Sequence, residues 1–304
     1  MNKGKLTALC HKKSEETGVA FNSILIYYFL ESILKKISRS KYRENFIFKG
    51  GFLLSNVVGI ESRTTVDMDF LLKGQELSKE AMEQIFKESL VEEKTDDILY
   101  EVQGIEKIKE EDKYGGFRCK ILCTLENIRQ IVPLDIATGD IITPQPIGYR
   151  YMSSFGKDEI IIKAYPLETM LAEKIETIYS RGFLNSRSKD YYDLYILYKL
   201  KNKEIDGRVL KDACRRTFHY RKTEFDVDKI IALLEDLKSD ERFLNNWKAY
   251  SRKNSYTKGV TFEDVVKNGI KLVEKMCIEG ISNVGAALCR PKNQQRKSND
   301  RRYT

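Results

Sequence analysis

The chain has 304 residues, of which 41% are hydrophobic and 11% aromatic. Such a chain can bury a sizeable core, is not globally disordered, and is long enough for two domains. Lys and Arg outnumber Asp and Glu by 53 to 45, a net charge of +8, which permits an anionic partner without requiring one.

Six cysteines stand at 10, 119, 123, 214, 277 and 289 with no Cys-x-x-Cys pair, and His11 and His219 are far apart, which argues against a zinc site. Scattered cysteines suit a reducing compartment. The N-terminal "MNKGKLTALCHKKSEETG" lacks a signal peptide's apolar core, and the longest apolar stretch, "ILIYYFL" at 24–30, is far too short for a bilayer. The expectation is a soluble, cytoplasmic protein with no membrane partner.

In chain order, residues 14–38 read as one helix, with Ser14, Glu15 and Glu16 as its start signal and Phe21, Ile24, Leu25, Tyr28, Ile33 and Leu34 near helical spacing. "NFIF" at 45–48 reads as a short buried strand, Gly50-Gly51 as a breaker, and "FLLSNVV" as a short helix ended by Gly59. "TVDMDFLL" at 65–72 is a strand by alternation, with Val66, Met68 and Phe70 on one face and Thr65, Asp67 and Asp69 on the other. A helix is expected over 78–95, then strands at "ILYEVQGIEKIKE", "FRCKILCTLE" and "IRQIVPLDIATGD". Past about 165 only helices are expected: 166–180, 188–202, 207–218, 227–238, near 240–251 and 261–279. Strands followed by helices predict an α/β (α+β) fold in two parts. A first domain would span 1–165, a helical domain 166–285 and a basic, disordered tail 286–304, "RPKNQQRKSNDRRYT" at its core.

The chemistry concentrates in acids. Asp67 and Asp69 at i and i+2 of a strand point to the same side, Cα atoms ~7 Å apart. Carboxylates so placed repel unless a cation lies between them, and Mg²⁺ favours one or two carboxylates plus substrate phosphates. A polar strand face in water is the plain alternative. Gly50-Gly51 between a strand and a helix lets backbone approach a ligand, and the helix start offers free N–H groups to a phosphate. Lys49 either neutralises charge there or is a surface cation. Asp135 in "IVPLDIATGD" either completes a metal site from an adjacent strand or caps a turn toward Gly139. In "YPLETMLAEKIETIYS", Lys174 shares the face of Leu167, Leu171 and Ile178, so it snorkels outward or faces an anion. In "SRSKDYYDLYILYKL", Asp190 and Asp193 lie toward the core side of a helix start. Asp190 caps that helix, pairs with Lys174 or serves a site. "CRRTFHYRKTEF" at 214–225 mixes cations with aromatic rings, which suits RNA or a nucleobase as well as a solvated helix end.

Taken in order, "FKGGFLLS", "RTTVDMDFLL", "VPLDIATGD", "YPLETMLAEKIETI" and "SRSKDYYDLYIL" resemble the AbiEii/AbiGii-type nucleotidyltransferase toxins of bacterial abortive-infection, type IV-like toxin–antitoxin systems, in the DNA polymerase β-like superfamily. The resemblance spans residues 20–200 or so; beyond it no motif is recognised. It implies a polymerase β-like domain with a mixed sheet, followed by an α-helical C-terminal domain. It also implies roles. Gly50, Gly51 and Ser55, with Lys49, Thr65 and Asp193 nearby, would bind the nucleotide. Asp67 and Asp69, with Asp135, would hold Mg²⁺ or Mn²⁺. Lys174 would contact the triphosphate, and Asp190 or Asp193 would be the further acid. The implied activity is metal-dependent transfer of a nucleotide from an NTP to an RNA acceptor, the tRNA 3′ end, blocking translation. The implied partner is a DNA-binding antitoxin. Two alternatives remain: transfer to a protein hydroxyl, and a non-catalytic RNA-binding module on the same fold.

Overall fold

The computed structural model describes residues 1–91, 97–108, 115–156 and 159–278. The ends of the helix expected over 78–95 and of the last helix, and the basic tail, lie outside these residues.

The elements run α1 (Lys3–Thr17), α2 (Phe21–Arg39), β1 (Phe46–Lys49), α3 (Gly50–Val58), β2 (Met68–Leu72), α4 (Lys79–Ser89), β3 (Leu99–Lys107), β4 (Gly116–Leu125), β5 (Ile128–Ala137), β6 (Ile147–Met152) and β7 (Glu159–Ala164), then α5 (Leu167–Arg181), α6 (Ser188–Lys201), α7 (Gly207–Tyr220), α8 (Val227–Lys238), α9 (Glu241–Lys253) and α10 (Phe262–Ile278). The seven strands make one mixed sheet in the order β3-β4-β5-β2-β1-β7-β6, with β2–β5 and β1–β7 parallel and the other pairs antiparallel. Among the described residues everything after β7 is helical. No single described helix is long and apolar enough to cross a membrane.

The helix expected over 14–38 is in fact two. Gly18 takes φ +70°, a conformation costly for any residue with a Cβ, and its N–H closes on the Ser14 carbonyl at 2.9 Å. Ser14 therefore lies in the last turn of α1 rather than at a helix start, and its hydroxyl donates to the Val19 carbonyl at 2.7 Å. The strand at 65–72 begins only at Met68, and Val66 is exposed rather than facing inward with Met68 and Phe70. Strands β6 and β7 were not anticipated. The run "EIIIKAY" is apolar almost throughout, which hides the alternation of buried Ile160, Ile162 and Ala164 with outward Ile161.

One sheet face is apolar. Phe46, Phe48 and Phe70 pack edge-on or tilted at 5.2–5.7 Å between ring centres, and Phe48 continues to Phe52 of α3. Helices α2 and α4 cover this face, Phe86 of α4 against Phe46. Each such ring contributes about 1.5–3 kcal/mol of burial. Alternation then forces Lys49, Asp69 and Asp135 onto the other face. The register aligns them: Lys49 pairs with Asp69, Asp69 with Asp135, and Asp135 with Arg118 of β4. Four adjacent strands thus carry the row cation–acid–acid–cation.

Candidate active site

The site starts from Gly50. It takes φ +71° at the first turn of α3, and a Cβ there would stand 2.0 Å from Asp69 Oδ2. Only glycine lets that carboxylate lie against the helix start, where the Gly51 N–H donates to the same oxygen at 3.3 Å. At Gly51 an added Cβ would come 3.1 Å from Thr65 Oγ1. The glycine pair expected to seat a phosphate is therefore in direct contact with the acidic strand. Gly50→Ala is expected to cost about 1–3 kcal/mol through its left-handed backbone and to push Asp69 aside. Gly51→Ala meets only a side-chain hydroxyl and should do less. Thermal melts of both, alongside nucleotide transfer, check the order.

Asp67 immediately precedes β2 and accepts a hydrogen bond from Thr65 Oγ1. Asp69 has its carboxyl pushed up to about 7, first by burial and then by the charges of Asp67 and Asp135; Lys49 and Lys189 pull the other way. Lys189 lies in the first turn of α6, and nothing singled it out from the sequence beyond its place in the Lys-Asp-x-x-Asp-Leu pattern. With Asp135 engaged by Arg118, Asp67 and Asp69 are the two of these three acids that no side-chain cation contacts among the described residues.

Asp135 was expected to join these acids at a metal. It stands beside Asp69 in register, but both its oxygens accept from Arg118, Nε at 2.7 Å and Nη2 at 2.6 Å. Among the described residues no three acid, histidine or cysteine side chains form a ready-made metal cage. Asp67 and Asp69 alone offer hard oxygens and uncompensated charge, a donor set that fits Mg²⁺ or Mn²⁺ when phosphates complete the shell.

Ser55, expected to touch phosphate, is fully buried. Its hydroxyl accepts from Tyr27 Oη at 3.1 Å and donates to the Arg63 carbonyl. It fastens α3 to the loop leading to Asp67. Lys49 is likewise engaged: Nζ lies 2.5 Å from Asp140 Oδ2, 3.1 Å from Glu173 Oε1 and 4.9 Å from the centre of the Tyr165 ring. Arg221 joins this cluster, 3.6 Å from Asp140, 3.7 Å from Glu173 and 2.8 Å from Glu176. Two cations here face three carboxylates. Burial pushes Glu173 up and would do the same to Asp140, but the Lys49 charge holds Asp140 below its usual range. Asp140, Glu173 and Glu176 had no sequence signal of their own, and Arg221 had been noted only as a cation of the basic–aromatic stretch at 214–225.

A second network holds the helical half. Lys174 Nζ lies 3.1 Å from Asp190 Oδ1 and 2.6 Å from Asp193 Oδ2. Arg63 Nε donates to Asp193 Oδ1 at 2.7 Å, and Arg187 Nε lies 2.9 Å from Asp190 Oδ2. Here three cations face two acids. Burial alone would raise Asp193, but Arg63 and Lys174 outweigh it and hold the carboxyl low. Burial opposes the charge on Lys174, yet Asp193 and Asp190 keep its ammonium firmly protonated. So Lys174, Asp190 and Asp193 come together as an ion network, the pairing that was one of the alternatives left open, and it also grips Arg63 in the loop before Asp67. The 214–225 stretch divides differently: Arg215 and Arg216 pair with Asp212 at 2.7 and 2.9 Å, Arg221 is internal and Phe218 is buried.

An acid pair on a mixed sheet, pressed against a Gly-Gly helix start and backed by a helical half whose Lys174 is held by the buried acids Asp190 and Asp193, has the make-up of a nucleotidyltransferase. Comparison bears this out. The profile of the family described as "Nucleotidyl transferase AbiEii toxin, Type IV TA system" matches residues 32–268, and the chain belongs to this family of nucleotidyltransferases. Among solved structures, the chain is similar to MenT4, a nucleotidyltransferase toxin of Mycobacterium tuberculosis H37Rv, at 13% identity and TM-score 0.56, covering 94% of this chain and 91% of that one. It is also similar to JHP933 of Helicobacter pylori, at 12% identity and TM-score 0.50, covering 86% and 96%. At such identities these two show the shared fold. No match to a curated protein was found.

Proposed function

We propose that the protein is the toxin of a toxin–antitoxin pair and transfers a nucleotide from an NTP to the 3′ end of an RNA, the tRNA acceptor end, in the cytoplasm. The observation that carries this reading is the Asp67–Asp69 pair held against the start of α3, with Asp69 pushed up to about 7 by burial first and by the neighbouring acids Asp67 and Asp135 next. Asp67 and Asp69 would hold Mg²⁺ or Mn²⁺, which when bound neutralises the triphosphate and the attacking oxygen. Gly51 and the next amides of α3 lie where a phosphate meets a positive helix end. Lys189 and Lys174 bring positive charge from the helical domain, proposed to span 166–285, toward the catalytic domain, 1–165. The acceptor hydroxyl attacks the α-phosphorus, its proton is taken at a carboxylate oxygen of the pair, and pyrophosphate leaves in line. A DNA-binding antitoxin would restrain this activity, as befits a system of phage defence by abortive infection.

Labelled NTPs incubated with the protein and total tRNA test the reading. RNase-sensitive label is expected with wild type and none with Asp69→Ala. Absence of transfer by wild type, or equal transfer by the variant, overturns it; label that resists RNase and yields to protease moves the acceptor to a protein hydroxyl.

A further inference from the structure

One run of exposed basic charge that makes no ion pair among the described residues lies on α9 and the turn after it. Residues 243–261, "FLNNWKAYSRKNSYTKGVT", contain four cations and no carboxylate. Lys248, Arg252, Lys253 and Lys258 are all exposed, and none makes an ion pair with a described residue. Of the acids flanking the run, Asp240 pairs with Arg242 at 2.9 Å, Glu263 pairs with Lys267 at 2.8 Å, and Asp264 accepts from Thr261 Oγ1 at 2.6 Å, while Glu241 stands exposed in the first turn of α9. Arg215 and Arg216, by contrast, already have Asp212.

Three of these cations, Lys248, Arg252 and Lys258, rim a groove of about 640 Å³. Its floor is apolar, formed by Leu244, Trp247 and Val260, with the Trp247 indole N–H fixed to the Val260 carbonyl at 3.1 Å. Lys248 and Arg252, four apart on one helix face, and Lys258 across the turn stand around it. An apolar floor inside a ring of unpaired cations suits a flat base with phosphates on either side. A base in a duplex is stacked and paired, so the strand that enters has to be single.

The groove is also joined to the catalytic loop. Tyr256, in the turn that walls it, packs tilted against Tyr192 with ring centres 5.1 Å apart, and the Tyr192 hydroxyl is shared between the Tyr256 carbonyl at 3.3 Å and the Ser62 carbonyl at 2.7 Å. Ser62 begins the short run through Thr65 to Asp67. One tyrosine therefore separates the groove wall from the loop that places the acid pair.

We propose that this groove seats a single-stranded segment of the RNA acceptor, with Lys248, Arg252 and Lys258 on its phosphates. The proposal rests on the RNA-acceptor reading above and adds where the strand is held. Charge complementarity calls for an anionic partner, and the apolar floor that suits a base, with the link to the Asp67 loop, favours RNA over an acidic protein.

The test titrates the full chain into a short fluorescein-labelled single-stranded RNA at several salt concentrations, comparing wild type with the Lys248→Glu/Arg252→Glu/Lys258→Glu variant. A control of equal charge change, Lys120→Glu/Lys229→Glu/Lys238→Glu, alters lysines elsewhere on the surface. Losing three phosphate contacts at ~0.7 each should reduce the slope of log K against log salt by about 2, with at least a tenfold loss of affinity at low salt. The control should retain most of both. Transfer of labelled nucleotide to the same RNA is followed in parallel. If wild type labels and binds the RNA while the groove variant, with an unchanged melting temperature, keeps its affinity, salt slope and RNA KM, the groove proposal is overturned and the RNA reading stands; an acidic partner protein in the groove gives this result. If the control loses as much as the groove variant, the groove is no special seat. If wild type neither binds nor labels RNA, the acceptor reading fails and the groove proposal falls with it.

Discussion

An Asp69→Asn protein is expected to lose nucleotide transfer by on the order of 10³-fold or more and, above pH 7, to melt at a higher temperature than wild type. Both effects come from one placement. Asp69 is pressed against Gly50, beside Asp67 and Asp135, and its carboxyl is pushed up to about 7 from an ordinary 3.8, by burial first and by those two acids next. The folded protein therefore binds a proton at Asp69 that the unfolded chain has released. That contribution to stability is fully present below the unfolded pKa of about 4 and is lost as pH rises through 7. Asparagine keeps the shape without the charge. The gap in melting temperature should thus be small near pH 4, open between pH 4 and 7 and stay level above. A shift of 3 units would correspond to ~4 kcal/mol, but Asp69 keeps a partly solvent-facing edge, so about 2 kcal/mol is expected. Added Mg²⁺ with a non-hydrolysable NTP should stabilise wild type and not the variant. A variant that melts no higher than wild type at pH 8 would mean that Asp69 carries no such penalty.

The legible parts of this site were those written locally in the chain. Gly50-Gly51 and Asp67-x-Asp69 lie within a single strand–helix–strand run, and their spacing alone places them on one edge. Lys174, Asp190 and Asp193 were legible as inward charges because helical periodicity assigns faces. Strand register was not legible. The row Lys49–Asp69–Asp135–Arg118 needs β2 to lie between β1 and β5, and nothing in the sequence states that order. Register is also what gives Asp135 to Arg118. Lys49 was misplaced for a related reason: its partners, Asp140 and Glu173, lie 91 and 124 residues away, brought close only once β7 pairs with β1 and leads into α5. Ser55 looked like a ligand residue because it follows the glycines, but it points into the core toward Tyr27.

The same geometry separates the roles of the two acids on α6. Asp193→Ala is expected to destabilise the protein by about 3–5 kcal/mol, roughly 10 °C in melting temperature for a chain of this size. Asp193 is fully buried, with one oxygen 2.7 Å from Arg63 Nε and the other 2.6 Å from Lys174 Nζ. Its removal leaves the buried Arg63 without a counter-charge and Lys174 with Asp190 alone, in a cluster already one positive charge in excess. Asp190→Ala should cost less. Its partner Arg187 is 38% exposed and can turn to water, while Lys174 keeps Asp193. Arg63 adds a consequence for chemistry, because it belongs to the loop that delivers Thr65 and Asp67. Once Asp193 is gone that loop keeps the Tyr192–Ser62 hydrogen bond but loses its ionic tie to the helical half, so transfer should fall even well below the melting temperature. Lys174→Met removes charge without leaving a buried acid alone, since Arg63 still faces Asp193 and Arg187 still faces Asp190. Its loss should therefore appear mainly as a higher KM for NTP, with a smaller change in melting temperature than Asp193→Ala. The reverse order, with Lys174→Met unfolding and Asp193→Ala merely slow, would make Lys174 the structural member of the network and leave the triphosphate to Lys189.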